Sequence, residues 1–255
     1  MKNRLSSKTS IVRYFQFMLL GSVLLFSGCA HFAGQPLEIL SYVGQTTSHE
    51  NLFVFVRGLG GSNRSFAEEG MVEATWQRGV DFDMVAPNSH FAYYSERTLI
   101  ERLRQDVILP AKKQGYKKIW LVGPSMGGLG ALLYVREHPE DIDGIYLISP
   151  FLGDDEIINE INKQGRLGDW KPGDYSPDED WQRMLWHWIK TEVAEQNTPP
   201  IYLGYGNDDM YVNAQRLLAT VLPESHISRR DGGHDYETFK ALWLTFLDRD
   251  VYLSP

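Results

Sequence analysis

The run that starts at Lys118 is free of charge after its first residue and reads Ile119-Trp120-Leu121-Val122, then Gly123-Pro124-Ser125-Met126-Gly127-Gly128, then Leu129-Gly130-Ala131-Leu132-Leu133-Tyr134. An apolar, β-rich segment meets a serine set among glycines, and a helical pattern follows. G-x-S-x-G by itself is a weak signal, but a strand before it and a helix after it make it specific. The turn is so tight that the serine must take a strained conformation and its neighbours must be small. The hydroxyl then projects at the carboxyl end of a sheet, beside the first amides of the next helix, where developing negative charge can be met.

The same alternation continues on both sides. Apolar β-rich runs at 37–43, 51–57, 82–86, 118–122, 144–148 and 201–205, with a weaker one at 226–229, are separated by helical patterns at 65–77, 98–115, 126–137, 181–195, 214–222 and 236–248. This order predicts parallel strands joined by crossover helices. Continuous apolar strands such as Phe53-Val54-Phe55-Val56 and Ile145-Tyr146-Leu147-Ile148 fit a sheet covered on both faces. Pro110 predicts a kink or early end in the second helix. Residues 151–200 break the rhythm: they hold four of the seven tryptophans and several glycines and prolines. They are expected to form a cap-like excursion over one end of the sheet, irregular first and then helical. Trp181, Leu185 and Trp188 stand at helical spacing, so part of that helix is expected to pack on the core.

A serine hydroxyl becomes a nucleophile when a base, oriented by an acid, takes its proton. Downstream, the 201–205 strand leads into Gly206-Asn207-Asp208-Asp209-Met210-Tyr211-Val212, and the 226–229 strand leads into Asp231-Gly232-Gly233-His234-Asp235. Each candidate lies just past a strand end, on the edge that presents Ser125. With these segments and Arg57-Gly58-Leu59-Gly60-Gly61, the chain resembles the α/β-hydrolases over about residues 37–250. The resemblance implies an α/β fold, with a mostly parallel central sheet and helices on both faces. It implies the order nucleophile Ser125, acid Asp209, base His234. Gly206, Asp209 and Val212 fit the family's G-x-x-D-x-x-V frame, with Asp208 held in reserve, and Gly232-Gly233-His234 fits its G-G-H loop. The oxyanion hole is implied at the backbone N–H groups of Met126 and Leu59, with Gly60 as the neighbouring alternative. Arg57 stands where the family often has His. Among the other histidines, His90 is reserved as a pocket-lining candidate, His31 falls in the tether, and the rest are expected in packing or surface positions.

The N-terminus reads as an address. Lys2, Arg4, Lys8 and Arg13 precede a 13-residue, largely apolar run from Tyr14 to Phe26, too short to span a bilayer comfortably. Ser27-Gly28-Cys29 follows, and Cys29 is the only cysteine. This resembles the lipobox of bacterial lipoproteins, with Phe26 where that family prefers Leu. The resemblance implies a signal peptide over 1–28, a lipidated Cys29 with a tether over 29–36, and a hydrolase domain over 37–255. Acyl chains on Cys29 would hold the protein on a membrane surface. Ala30, rather than Asp, implies outer-membrane sorting facing the periplasm if the envelope is Gram-negative.

Composition sets the exclusions. With 43 % hydrophobic and 23 % charged residues the chain is neither disordered nor a multi-span membrane protein. One cysteine excludes an internal disulfide framework. The first 28 residues carry four bases and no acid, so the remainder carries −12 against −8 for the whole. So acidic a body is a poor nucleic-acid binder. There is no metal-ligand cluster and no dinucleotide-binding G-x-G-x-x-G, so neither metal nor cofactor is expected. The expected protein is an envelope-anchored serine hydrolase acting on a small-molecule or acyl substrate, first as a carboxylesterase. Thioesterase, amidase or peptidase chemistry on the same triad, and a non-catalytic surface lipoprotein on a hydrolase scaffold, stand as alternatives. The sequence leaves the acyl group and the oligomeric state open.

Overall fold

The computed structural model describes residues 34–44 and 49–253. Cys29 and the expected signal segment lie outside the described residues. Among the described residues, no helix is long and apolar enough to cross a membrane.

Seven strands form one sheet: β1 (Ile39–Tyr42), β2 (Asn51–Phe55), β3 (Asp83–Pro87), β4 (Lys118–Pro124), β5 (Gly144–Ile148), β6 (Ile201–Gly206) and β7 (Ile227–Arg230). Their order is β1-β3-β2-β4-β5-β6-β7. Every neighbouring pair is parallel except β1 with β3 at one edge. The chain runs outward from β2 to β3 on one side, then returns to β4 on the other. The crevice between the carboxyl ends of β2 and β4 is therefore the point where strand order reverses, the usual ligand site of an open α/β sheet. Phe55 pairs with Val122 at this crevice.

Helices cover both faces, which is why the strands are apolar on both sides. The helices before β4 are α1 (Ser65–Glu68), α2 (Met71–Gln77), α3 (Phe91–Ser95), α4 (Leu99–Leu103) and α5 (Leu109–Gln114). After it come α6 (Met126–Glu137), α7 (Asp155–Lys163), α8 (Trp181–Trp188), α9 (Val212–Ala219) and α10 (Tyr236–Leu247). On one face Phe53, Phe55, Trp120 and Tyr146 join Phe66, Trp243 and Phe246 in an aromatic core. Phe53 stacks on Phe82 at 4.1 Å, and Trp243 meets Phe53 edge-on at 5.1 Å. The Trp243 indole donates to Met71 O and Thr75 Oγ1, so its polar atom is satisfied within the core. On the other face α6 packs against β4 and β5.

All seven expected strands form, with bounds shifted by a few residues. The helical patterns are more broken than expected. The pattern at 65–77 divides at Gly70, which has φ 76°. The pattern at 98–115 is interrupted before Pro110 by a π turn at Arg104–Ile108. Residues 151–200 are not irregular at first: α7 begins at Asp155. The tryptophan stripe also differs. Trp170 and Trp186 are fully buried with Leu185, whereas Trp181 and Trp188 are only half-buried. The excursion is held internally by Arg183, which bonds both carboxylate oxygens of Glu160 at 2.6 and 2.7 Å. Glu160 also accepts from the Trp170 indole at 2.9 Å. The Trp186 indole donates to Leu152 O at 2.9 Å, tying the excursion to the end of β5.

The join of β4 to α6 is set by close approach. A Cβ on Gly127 would lie 1.9 Å from Val56 O, and one on Gly123 would lie 2.3 Å from Gly127 O. Both positions must therefore be glycine for the helix to start where it does. Gly127→Ala is expected to destabilise the fold by roughly 3 kcal/mol or more, because the clash is with backbone that cannot rotate away. Urea denaturation followed by circular dichroism measures it.

Candidate active site

Ser125 sits between β4 and α6 with φ 53° and ψ −124°. A non-glycine residue with positive φ is uncommon and costs on the order of 1–3 kcal/mol. It is held there by its own N–H, which donates to Ile148 O at 2.9 Å, and by its carbonyl, which accepts from Phe151 N at 3.0 Å and Gly128 N at 3.0 Å. The strained backbone presents Oγ at the carboxyl edge.

Three expected residues come together there. His234 Nε2 lies 2.9 Å from Ser125 Oγ, and His234 Nδ1 lies 2.8 Å from Asp209 Oδ2. Asp209 is 2 % exposed and its other oxygen accepts from Tyr211 N at 2.8 Å. Burial pushes the Asp209 pKa up, but the bonds from the His234 ring and the Tyr211 amide outweigh it, leaving the carboxyl below its usual range. Asp208 is exposed, and its N–H donates to Gly232 O at 3.0 Å. It therefore braces the two loops through its backbone while Asp209 points inward. A Cβ on Gly206 would lie 2.2 Å from Gly232 O, so this glycine allows the Asp209 loop to touch the His234 loop.

The first amide of α6 belongs to Met126. The Arg57–Gly61 segment passes beside Ser125: a Cβ on Gly58 would lie 3.3 Å from Ser125 Cβ. Arg57 folds back over this segment, donating from Nε to Gly58 O and from Nη2 to Leu59 O, each at 3.2 Å. Its Nη1 donates to Asn88 Oδ1 at 2.7 Å. Arginine at this position thus fixes carbonyls of the loop and ties the loop to the residue after β3. Burial lowers the Arg57 pKa from its ordinary value.

Sequence reasoning missed the supports of this site. Tyr211 and Phe239 meet the His234 ring edge-on at 5.0 and 5.1 Å, holding the imidazole between them. Tyr94 donates to Met126 O at 3.0 Å from α3, in the 88–94 segment that reads from sequence as a loop able to line the acyl or alcohol site. Phe239 lies one helical turn past Tyr236, so the spacing after the base loop was the available signal. His90 packs on Tyr93 with the rings tilted at 45°, and burial followed by the nearby Arg57 charge lowers its pKa. The others take packing or surface contacts: His226 stacks on Tyr202, His187 bonds Tyr175, and His49 bonds Asp83. His138, Glu140 and Asp141 bring ligand atoms within 4.8 Å of one another. Asp141 already accepts from Arg104, Lys112 and Tyr134, so this cluster is an ion-pair network.

The fold is that of the α/β-hydrolases. Its solved neighbours include the fluorophosphonate-binding serine hydrolase FphF of Staphylococcus aureus in substrate-bound form, with TM-score 0.56 and 12 % identity over 87 % of this chain and 100 % of that one. Est1E of Butyrivibrio proteoclasticus gives TM-score 0.55 and 17 % identity over 84 % and 92 % of the two chains. The S-formylglutathione hydrolase of Staphylococcus aureus gives 0.53 and 14 % over 82 % of each. Residues 98–191 match the family described as serine aminopeptidase, S33. This segment contains Ser125 but neither the acid nor the base loop. No curated protein matches the sequence.

The low Asp209 pKa has a definite sign in stability. The folded value lies below the unfolded one, so the ionised carboxylate contributes stability at neutral pH, and the contribution is lost as pH falls through the folded value. Between about pH 5 and pH 2, Asp209→Asn is expected to flatten the fall in unfolding free energy relative to wild type. Urea titrations at stepped pH measure the difference.

Proposed function

We propose that the protein is a serine hydrolase acting on carboxylic esters through an acyl-enzyme. The observation that carries this reading is the unbroken line from Asp209 through His234 to Ser125, at 2.8 and 2.9 Å. Ser125 Oγ attacks the carbonyl carbon while His234 Nε2 takes its proton. Asp209 keeps the proton on Nδ1 and stabilises the imidazolium that forms. The amides of Met126 and Leu59 receive the oxyanion. His234 then protonates the leaving alcohol, and water repeats the cycle on the acyl-enzyme.

A second reading has a specific observation behind it. The serine aminopeptidase match over 98–191 favours amide cleavage, with His234 protonating an amine instead of an alcohol. Side-by-side turnover of p-nitrophenyl esters and aminoacyl p-nitroanilides separates the two. We further propose that a lipid on Cys29 anchors the enzyme to the bacterial envelope, on the outer membrane facing the periplasm in a Gram-negative cell.

Ser125→Ala is expected to retain the fold and lower ester kcat by roughly 10⁴–10⁶-fold, with loss of fluorophosphonate labelling. Near-normal turnover in that variant would sink the assignment. Asp209→Asn should lower kcat by about 10⁴-fold, far more than Asp208→Asn. Arg57→Ala should reduce kcat by about 10²-fold through a displaced oxyanion loop, with fluorophosphonate labelling slowed rather than abolished. For the anchor, Cys29→Ser should move the protein from the membrane to the soluble fraction; unchanged membrane association refutes it.

A further inference from the structure

A groove of about 750 Å³ lies between α3, α6 and the excursion, and it begins one residue from Ser125. Its near wall includes Met126, Leu129 and Leu133, which follow one another along one face of α6. Tyr94, Leu99, Trp181 and Met184 add apolar surface, with Ser95 and Glu101 among the polar groups of the lining. Phe151, whose N–H holds the Ser125 carbonyl, also lines the groove. Further along α6 the character changes: the groove ends among Arg136, Glu137 and His138, beside the exposed Arg97–Asp178 pair.

We propose, resting on the hydrolase reading above, that this groove binds a linear medium-chain acyl group, octanoyl to decanoyl, with its carbonyl at Ser125. The apolar wall runs seven residues along α6 from Met126 to Leu133, which is about 10 Å at 1.5 Å per residue. An extended chain advances about 3.6 Å for every three bonds, so roughly nine bonds fill the wall. A shorter chain leaves apolar wall wet. A longer one drives methylenes among the charges of Arg136, Glu137, Arg97 and Asp178, which prefer water. Leu133 thus sets the chain length, because it is the last apolar residue before the charged end.

The test compares kcat/KM for p-nitrophenyl esters from acetate to palmitate on wild type, Leu133→Trp and Trp181→Ala. Wild type is expected to peak at octanoate or decanoate. Leu133→Trp should move the peak to butyrate or hexanoate and lower the decanoate-to-butyrate ratio at least tenfold. Trp181→Ala, which removes a wall without blocking the groove, should lower the same ratio and serves if Leu133→Trp does not fold. Binding of methyl decanoate and methyl butyrate to Ser125→Ala, followed by tryptophan fluorescence, tests the groove without turnover. Tighter binding of the decanoate, weakened by Trp181→Ala, supports it. A wild-type optimum at acetate, or equal binding of the two methyl esters, overturns it even where Ser125-dependent turnover stands. Absence of turnover and of fluorophosphonate labelling overturns the hydrolase reading instead, and the binding comparison still decides the groove.

Discussion

The structure depends on one close approach, that of the α6 backbone to the end of β2. Gly127 lies so near Val56 O that no side chain fits between them. That approach lets the chain leave β4, reverse through a single residue and enter a helix. The reversal forces Ser125 to positive φ. It also brings the Arg57–Gly61 segment, which continues directly from β2, against the serine. Ser125 and the Arg57–Gly61 loop are thus adjacent because β2 and β4 are adjacent, at the place where strand order reverses. The strain at Ser125 is balanced by the bonds to Ile148 O, Phe151 N and Gly128 N, all on elements already fixed by the sheet.

Asp209 and His234 come from the other half of the sheet by a similar device. β6 and β7 end in loops that touch through Gly206 and Gly232, with backbone bonds from Asn207 and Asp208 crossing between them. Asp209 is buried by this contact and Asp208 is left outside it. The difference between two neighbouring aspartates is therefore one of burial and partners, since their chemistry is identical. A buried carboxylate without partners would be protonated or would cost several kcal/mol. Asp209 avoids this by accepting from His234 and Tyr211 together. The imidazole is positioned in turn by Asp209 on one nitrogen and by Tyr211 and Phe239 on its flanks, leaving Nε2 directed at Ser125.

Most of the sheet and all three residues of the Asp209–His234–Ser125 line were legible, and the physical reasons are specific. Strands buried on both faces leave continuous apolar runs, and a tight turn leaves small residues at fixed offsets from its serine. The break in the 98–115 pattern was legible in Pro110, which follows the π turn at 104–108 by two residues and cannot donate a backbone hydrogen bond into the preceding turn. The break at Gly70 was not legible, nor was the burial of Trp170 and Trp186 in place of Trp181 and Trp188. The bond from Tyr94 to Met126 O was hidden because it acts across 32 positions of chain. α3 is only five residues long, below the length at which helical periodicity can be distinguished.

Arg57 shows how a departure from a family pattern can be read physically. A histidine there would offer two ring nitrogens, whereas arginine offers five donors in a planar fork. Three of its nitrogens are used: for Gly58 O, for Leu59 O and for Asn88 Oδ1. The loop carbonyls are thereby fixed toward the guanidinium, and a peptide unit whose carbonyl is fixed has its N–H fixed in the opposite direction. The Gly58 carbonyl belongs to the same peptide plane as the Leu59 N–H. Holding one therefore orients the other, and the proposed oxyanion donor is aimed by a side chain two residues before it.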